Sequence, residues 1–126
     1  MKTIITTDKA PQPIGPYNQA VLNNGMLYTS GQIALDPKTG QLHLEDISSE
    51  TKLVMENLKA VLEAAEMSFA NVIKSTIFIS DMDNFGKINN VYGSYFDDAT
   101  APARETVQVA RLPKDVNVEI SVIASL

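Results

Sequence analysis

The sequence predicts a single α+β domain in which a mixed β-sheet carries two helices on one face. Strand-like runs of β-branched and apolar residues recur at 2–6, 17–22, 26–30, 72–80, 102–109 and 116–124, interrupted by turns or by two helical stretches. The resulting order, strand, hairpin, helix, strand, helix, strand, strand, is that of a sheet with helices segregated to one side. At 126 residues the chain is long enough for one core and short for two, so the domain is expected to span 1–126. Its 44% apolar and 20% charged residues belong to an ordinary globular protein.

Each element has its own warrant. Lys2 to Thr6 is short and β-branched, as an edge strand would be. The run Pro-Gln-Pro-Ile-Gly-Pro at 11–16 forbids helix or central strand and must be a loop. Tyr17–Leu22 and Met26–Ser30 flank Asn23-Asn24-Gly25, a strong hairpin signal. A further turn is expected at Asp36-Pro37-Lys38-Thr39-Gly40. Gly31, inside a strand-like pattern, marks a bulge or a close approach to the backbone. The first helix is expected to start at an N-cap on Ser48 or Ser49, with Val54, Leu58, Val61, Leu62 and Ala65 on its buried face. Val72 to Ser80 reads as a central strand, apolar on both sides. Asp81 or Asp83 can cap a second helix whose inner stripe is Phe85, Ile88, Tyr92 and Tyr95. In the last strand Val116, Val118, Ile120 and Val122 alternate with Asn117, Glu119 and Ser121.

Composition narrows the function. Fifteen acidic against ten scattered basic residues give a net charge of −5, which disfavours nucleic acid as a partner. Without cysteine there is no thiolate nucleophile or Cys-ligated metal, and a single histidine, His43, supports neither a Ser-His-Asp triad nor a multi-His metal site. The six glycines match no nucleotide-binding fingerprint, so neither metal nor cofactor is expected. No segment has the length of a membrane span and no leader is evident, so a cytoplasmic protein is expected.

The segment Pro102-Ala103-Arg104-Glu105-Thr106-Val107-Gln108-Val109 carries the strongest functional signal. Pro102 leads the chain into extended backbone, and period-two alternation puts Arg104, Thr106 and Gln108 on one face. Val107 and Val109 are expected to face the core, leaving Arg104 and Thr106 with Glu119, Ser121 and Ile123 on the bare face of the sheet. A guanidinium held at a strand start suits a carboxylate or phosphate. Oligomerisation is the economical way to cover so mixed a face. If the last two strands pair as a hairpin, Arg104 and Glu119 stand about four residues out of register, so either those strands are not neighbours or a site using both is completed across an interface.

Five motifs in this order, Ile14-Gly15-Pro16-Tyr17, Ser30-Gly31-Gln32-Ile33, Asp36-Pro37-Lys38-Thr39-Gly40, Pro102-Ala103-Arg104 and Val109-Ala110-Arg111-Leu112-Pro113, resemble the RidA/YjgF family nearly end to end. The resemblance implies a chorismate-mutase-like homotrimer with three intersubunit clefts. It also implies cofactor-independent hydrolysis of reactive 2-imino acids to 2-keto acids and ammonia. On that resemblance Arg104 grips the substrate carboxylate and Glu119 positions or activates water. Tyr17 and Gly31 line the same cleft, and Thr106 contributes its main-chain N–H. The chain departs from the pattern at Thr106, where many members carry cysteine, at Glu105, where a small residue is commoner, and at Glu66, where glycine is usual.

The chemistry read from the residues is compatible. A 2-imino acid already carries an electrophilic carbon, so a carboxylate anchor, a positioned water and a proton route suffice. A module that binds keto acids or amino-acid metabolites without catalysis would use the same arginine.

Overall fold

The computed structural model describes residues 1–126. Its six strands are β1 (Thr3–Ile5), β2 (Ala20–Asn23), β3 (Met26–Thr29), β4 (Val72–Ile79), β5 (Ala103–Gln108) and β6 (Val118–Ser125), and its two α-helices are α1 (Ile47–Ala64) and α2 (Phe85–Gly93). They form one mixed sheet in the order β1-β2-β3-β6-β4-β5, with only the β4–β5 pair parallel. The fold is therefore the α+β class that the sequence predicts.

Local chemistry explains most of the boundaries. Asn24 and Gly25 both adopt positive φ, 53° and 76°, which the tight β2–β3 hairpin requires and which Asn and Gly tolerate best. Helix α1 begins two to three residues earlier than its serines suggest. Asp46 is the N-cap, and its carboxylate accepts from the Ser49 N–H and hydroxyl. Asp81 caps a short 3₁₀ turn at Met82–Asn84, so α2 starts only at Phe85 and has no side-chain cap of its own. The central strand β4 lies between β6 and β5, as its apolar sequence requires.

The core lies between the sheet and the helices. Leu27 from β3, Ile77 and Ile79 from β4, and Val118, Ile120 and Val122 from β6 meet Val54, Leu58, Val61 and Leu62 of α1 and Ile88 of α2. A fully buried carboxylate ties these layers together: Glu50 of α1 accepts from both the main-chain N–H and the side-chain amide of Asn117, at 2.7 Å each. Asn117 in turn meets Ser80 through its carbonyl and its side-chain oxygen, which anchors the start of β6 to the end of β4.

One expectation about faces is reversed. β5 pairs with β4 so that Ser75 opposes Arg104, Ile77 opposes Thr106 and Ile79 opposes Gln108. Ser75, Ile77 and Ile79 are buried beneath the helices, so Arg104 and Thr106 share the helix-covered face, and Val107 points to the open one, 42% exposed. The reversal follows from position. β5 is an edge strand lying beside α2, and the aromatic rings of that helix give an arginine side chain a better surface than water alone. The open face carries Tyr28, Phe78, Val107 and Ile123 with Lys74, Thr76, Glu105, Glu119 and Ser121. Of the two arrangements open to the last two strands, the structure takes the one in which they are not neighbours, with β4 between β5 and β6.

Candidate functional site

A cavity of about 390 Å³ opens where the Pro-rich loop, the segment after β3 and the turn before β6 converge. Tyr17, Gly31 and Glu119 all line it, together with the apolar Ile14, Ile33 and Leu35 and with Lys114. The loop is held in place by Gln19, a buried side chain that accepts from the Thr7 N–H and donates to the carbonyls of Thr7, Ala10 and Pro11. Its four contacts substitute for the regular pairing that the prolines deny this stretch. At the rim, Tyr17 is half-exposed and its N–H donates to the Gly15 carbonyl.

Gly31 and Glu119 meet at the cavity wall. A Cβ built on Gly31 would lie 2.0 Å from a Glu119 carboxylate oxygen, so the sequence's bulge-or-close-approach reading of this glycine holds on the second count. It holds on the first as well. The β3–β6 register runs to Tyr28 opposite Ile123 and resumes at Gln32 opposite Ile120, so four steps along one segment match three along the other. Burial has a chemical consequence for Glu119: half-buried and with no cation paired to it, its carboxyl is pushed above the ordinary glutamate pKa by lost hydration.

Arg104 stands apart from this cavity. Its guanidinium lies over the rings of Phe85 and Tyr92, 5.6 Å and 5.1 Å from their centroids, and Nη1 donates to Asn89 Oδ1 at 2.7 Å. Phe85, Asn89 and Tyr92 are one stripe of α2 at helical spacing, and Tyr92 is itself fixed by donating to the buried Ser75 hydroxyl. One of five guanidinium donors is thereby used, and Arg104 lines a second cavity of about 350 Å³ at the β5 edge. Thr106, two residues on, keeps its hydroxyl buried without a hydrogen-bond partner. Within one chain, then, Tyr17, Gly31 and Glu119 come together, while Arg104 and Thr106 lie across the sheet on its other face.

Sequence reasoning missed Asn89, Gln19 and Thr29 as supports of these sites. The signal for Asn89 was present as its i, i+3 spacing with Tyr92, read only for apolar residues. His43, the lone histidine, lies outside both cavities and pairs with Asp36 at 3.3 Å. No three acidic or histidine side chains cluster in a way that could hold a metal ion.

The family model described as Endoribonuclease L-PSP matches residues 7–126. A RutC family protein of Synechocystis is 54% identical over 124 residues, covering 98% of this chain and 95% of that protein. The Escherichia coli protein named "Putative reactive intermediate deaminase TdcF" is 49% identical over 126 residues, covering 98% and 97%. Among solved structures, YyfA of Yersinia pestis, from the Rid protein family, superposes with a TM-score of 0.97 at 45% identity over the whole of both chains. Escherichia coli TdcF with bound serine superposes with a TM-score of 0.92 at 47% identity over 98% of each. The chain belongs to the Rid/YjgF family, whose model carries the endoribonuclease L-PSP description. No helix is long and apolar enough to cross a membrane.

Proposed function

We propose that this chain is a cofactor-independent imine deaminase. It hydrolyses reactive 2-imino and enamine acids, such as 2-iminopropanoate, 2-iminobutanoate and 2-aminoacrylate, to 2-keto acids and ammonia. The observation that carries the reading is Glu119: a half-buried, unpaired carboxylate with a raised pKa, set against a glycine backbone in a largely apolar cavity. Water attacks C2 of the imine and gives a proton to Glu119, which passes it to the imine nitrogen, forming a carbinolamine. Glu119 then carries the hydroxyl proton to the amine, and the C2–N bond breaks with its electron pair leaving on nitrogen as ammonia while the oxygen becomes the keto oxygen. An enamine substrate first takes a proton on C3 to enter the same path.

The substrate carboxylate needs its own anchor, and Arg104 is the residue suited to it, with the Thr106 N–H beside it. Because Arg104 and Glu119 occupy opposite faces of one sheet, the reading requires a homotrimer in which the β5 edge of one copy meets the Glu119 cavity of the next. The open face, with Tyr28 and Val107 at 47% and 42% exposed, is the surface such an assembly would cover.

The structure of the TdcF relative with bound serine favours one other reading, a non-catalytic module that binds keto acids or amino-acid metabolites at the same place. Ribonuclease action draws no support from a net charge of −5 or from a histidine outside the cavities. The deciding experiment generates 2-aminoacrylate enzymatically from serine and follows keto-acid release. Release faster with the protein than without it supports the deaminase, and equal rates together with measurable keto-acid binding support the module.

A further inference from the structure

The bulge that brings Gly31 against Glu119 has an identifiable cause. The regular β3–β6 register stops at Tyr28 and Ile123. At the next pair the Thr29 hydroxyl enters the ladder, accepting from the Val122 N–H at 2.9 Å and donating to the Val122 carbonyl at 3.3 Å. A side chain interposed between two strands holds them apart at that point. The following residue turns the other way: the Ser30 N–H donates to the Gln19 carbonyl and its hydroxyl donates to the Asn18 carbonyl, both on the β2 side. The extra residue is absorbed before Gln32 and Ile120 exchange both main-chain bonds at 2.8 and 3.1 Å. Gly31 is thus suspended between two fixed points, with its backbone over the carboxylate.

We propose that Thr29 is a positioning residue for Glu119: by taking both main-chain groups of Val122 it fixes the bulge at Ser30 and Gly31 and so sets the wall against which the carboxylate is held. The inference deepens the deaminase reading and rests on it for its catalytic meaning, though the structural claim stands by itself. The groups facing Glu119 are few. Tyr17 and Lys114 share its cavity, Phe78 lies opposite it on β4, and the Gly31 segment brings no charge. Desolvation by that wall therefore dominates its protonation.

The test compares Thr29→Val, which keeps the branched shape and loses both hydrogen bonds, with Thr29→Ser, which keeps the hydroxyl. Carbon-13 NMR of the Glu119 carboxyl is read as a function of pH. In the Val variant the titration should move down toward the ordinary glutamate range, and the acid limb of the pH–rate profile should move with it. Its kcat/KM for 2-iminobutanoate should fall on the order of tenfold. Ser should restore wild-type behaviour in both readouts. If the Val variant does not fold, Thr29→Ala removes the same hydroxyl and both of its bonds to Val122 and should move the carboxyl titration in the same direction, an unchanged titration overturning the proposal equally. An unchanged Glu119 titration in a folded Val variant, or a Ser variant as shifted as Val, overturns the proposal. A titration that moves as expected in a protein that hydrolyses no imino acid would refute the deaminase reading and leave the positioning role intact.

Discussion

Gly31 and Glu119 are in contact so close that no side chain fits between them: an added Cβ would meet the carboxylate oxygen at 2.0 Å, Cδ at 2.7 Å and Cγ at 2.9 Å. Three atoms of one side chain within that range mean that the whole carboxylate would have to swing away, not just its tip. Gly31→Ala should therefore displace Glu119 toward the open part of the cavity. Misplacement of this size typically costs about 10²-fold in rate, while the rest of the fold, which rests on the core between sheet and helices, is untouched. Activity on 2-iminopropanoate and a melting curve measured together check this. An alanine variant with wild-type turnover would remove the contact from the mechanism.

Glu119 itself gives a prediction in which activity and stability move apart. Its folded-state pKa lies above the ordinary value because the charged form is desolvated. A raised carboxyl pKa contributes stability that is fully present below the unfolded pKa and lost as pH rises through the folded one. At neutral pH the charge is a liability to the fold. Glu119→Gln should lower imino-acid turnover by about 10²-fold while raising the melting temperature at pH 7. The stability gain should vanish at pH values below the ordinary carboxylate range, where wild type is also neutral. Wild-type activity should decline as pH falls through the raised pKa, because the base is then protonated. Differential scanning calorimetry across pH and a pH–rate profile would show both, and a Gln variant less stable than wild type at pH 7 would contradict the desolvation account.

How far the sequence revealed this arrangement depended on whether the controlling physics was local. The Asn24-Gly25 turn, the central placement of β4 and the exception at Gly31 were legible because each follows from backbone sterics or from a run of residue types. The orientation of β5 was not. Val107 on an edge strand reads as core by alternation alone, yet the Arg104 face is the covered one because α2 supplies Phe85, Asn89 and Tyr92 to receive the guanidinium. Alternation fixes which residues share a face, and only the strand order decides which face is inside. Asp46 displaced the expected serine caps although any of the three can cap, because its carboxylate takes both the N–H and the hydroxyl of Ser49.

The corrected orientation of Val107 makes the assembly testable. On the open face of a lone chain, Val107→Lys replaces an exposed apolar residue with a charged one beside Glu105 and costs little stability. If that face is buried between copies, the same substitution places an unpaired charge in an apolar contact and drives the copies apart. Light scattering at micromolar concentration should give the wild type a mass near three times 13.7 kDa. The Lys variant should give a smaller mass with imino-acid hydrolysis lost in parallel. A wild-type monomer would sink the shared-cleft reading at once, and an undisturbed trimer in the variant would place the interface elsewhere.

Arg104 bears the sharpest demand, because its geometry and its charge can be separated. Asn89 takes one N–H of the guanidinium at 2.7 Å and the rings of Phe85 and Tyr92 support its plane, so the remaining donors are presented in one fixed orientation. A carboxylate meeting such a fork accepts two parallel bonds, whereas a lysine offers a point charge without the plane. Hydrogen bonds to charged groups contribute about 1.5–3 kcal/mol each, so Arg104→Lys should lower kcat/KM for a 2-imino acid roughly tenfold to a hundredfold. Arg104→Ala should lose more. Asn89→Ala should fall between wild type and Lys, because it frees the guanidinium to rotate without removing it. Both residues changed here lie at the surface of α2 and β5, so the melting temperatures should stay near that of wild type, the Ala variant of Arg104 losing the modest cation–π contribution of about 0.5–1 kcal/mol. Steady-state kinetics on 2-iminobutanoate with parallel melting curves make the comparison. Full activity in Arg104→Lys would refute bidentate anchoring, and a collapse in melting temperature would make Arg104 a structural residue of the β5 edge.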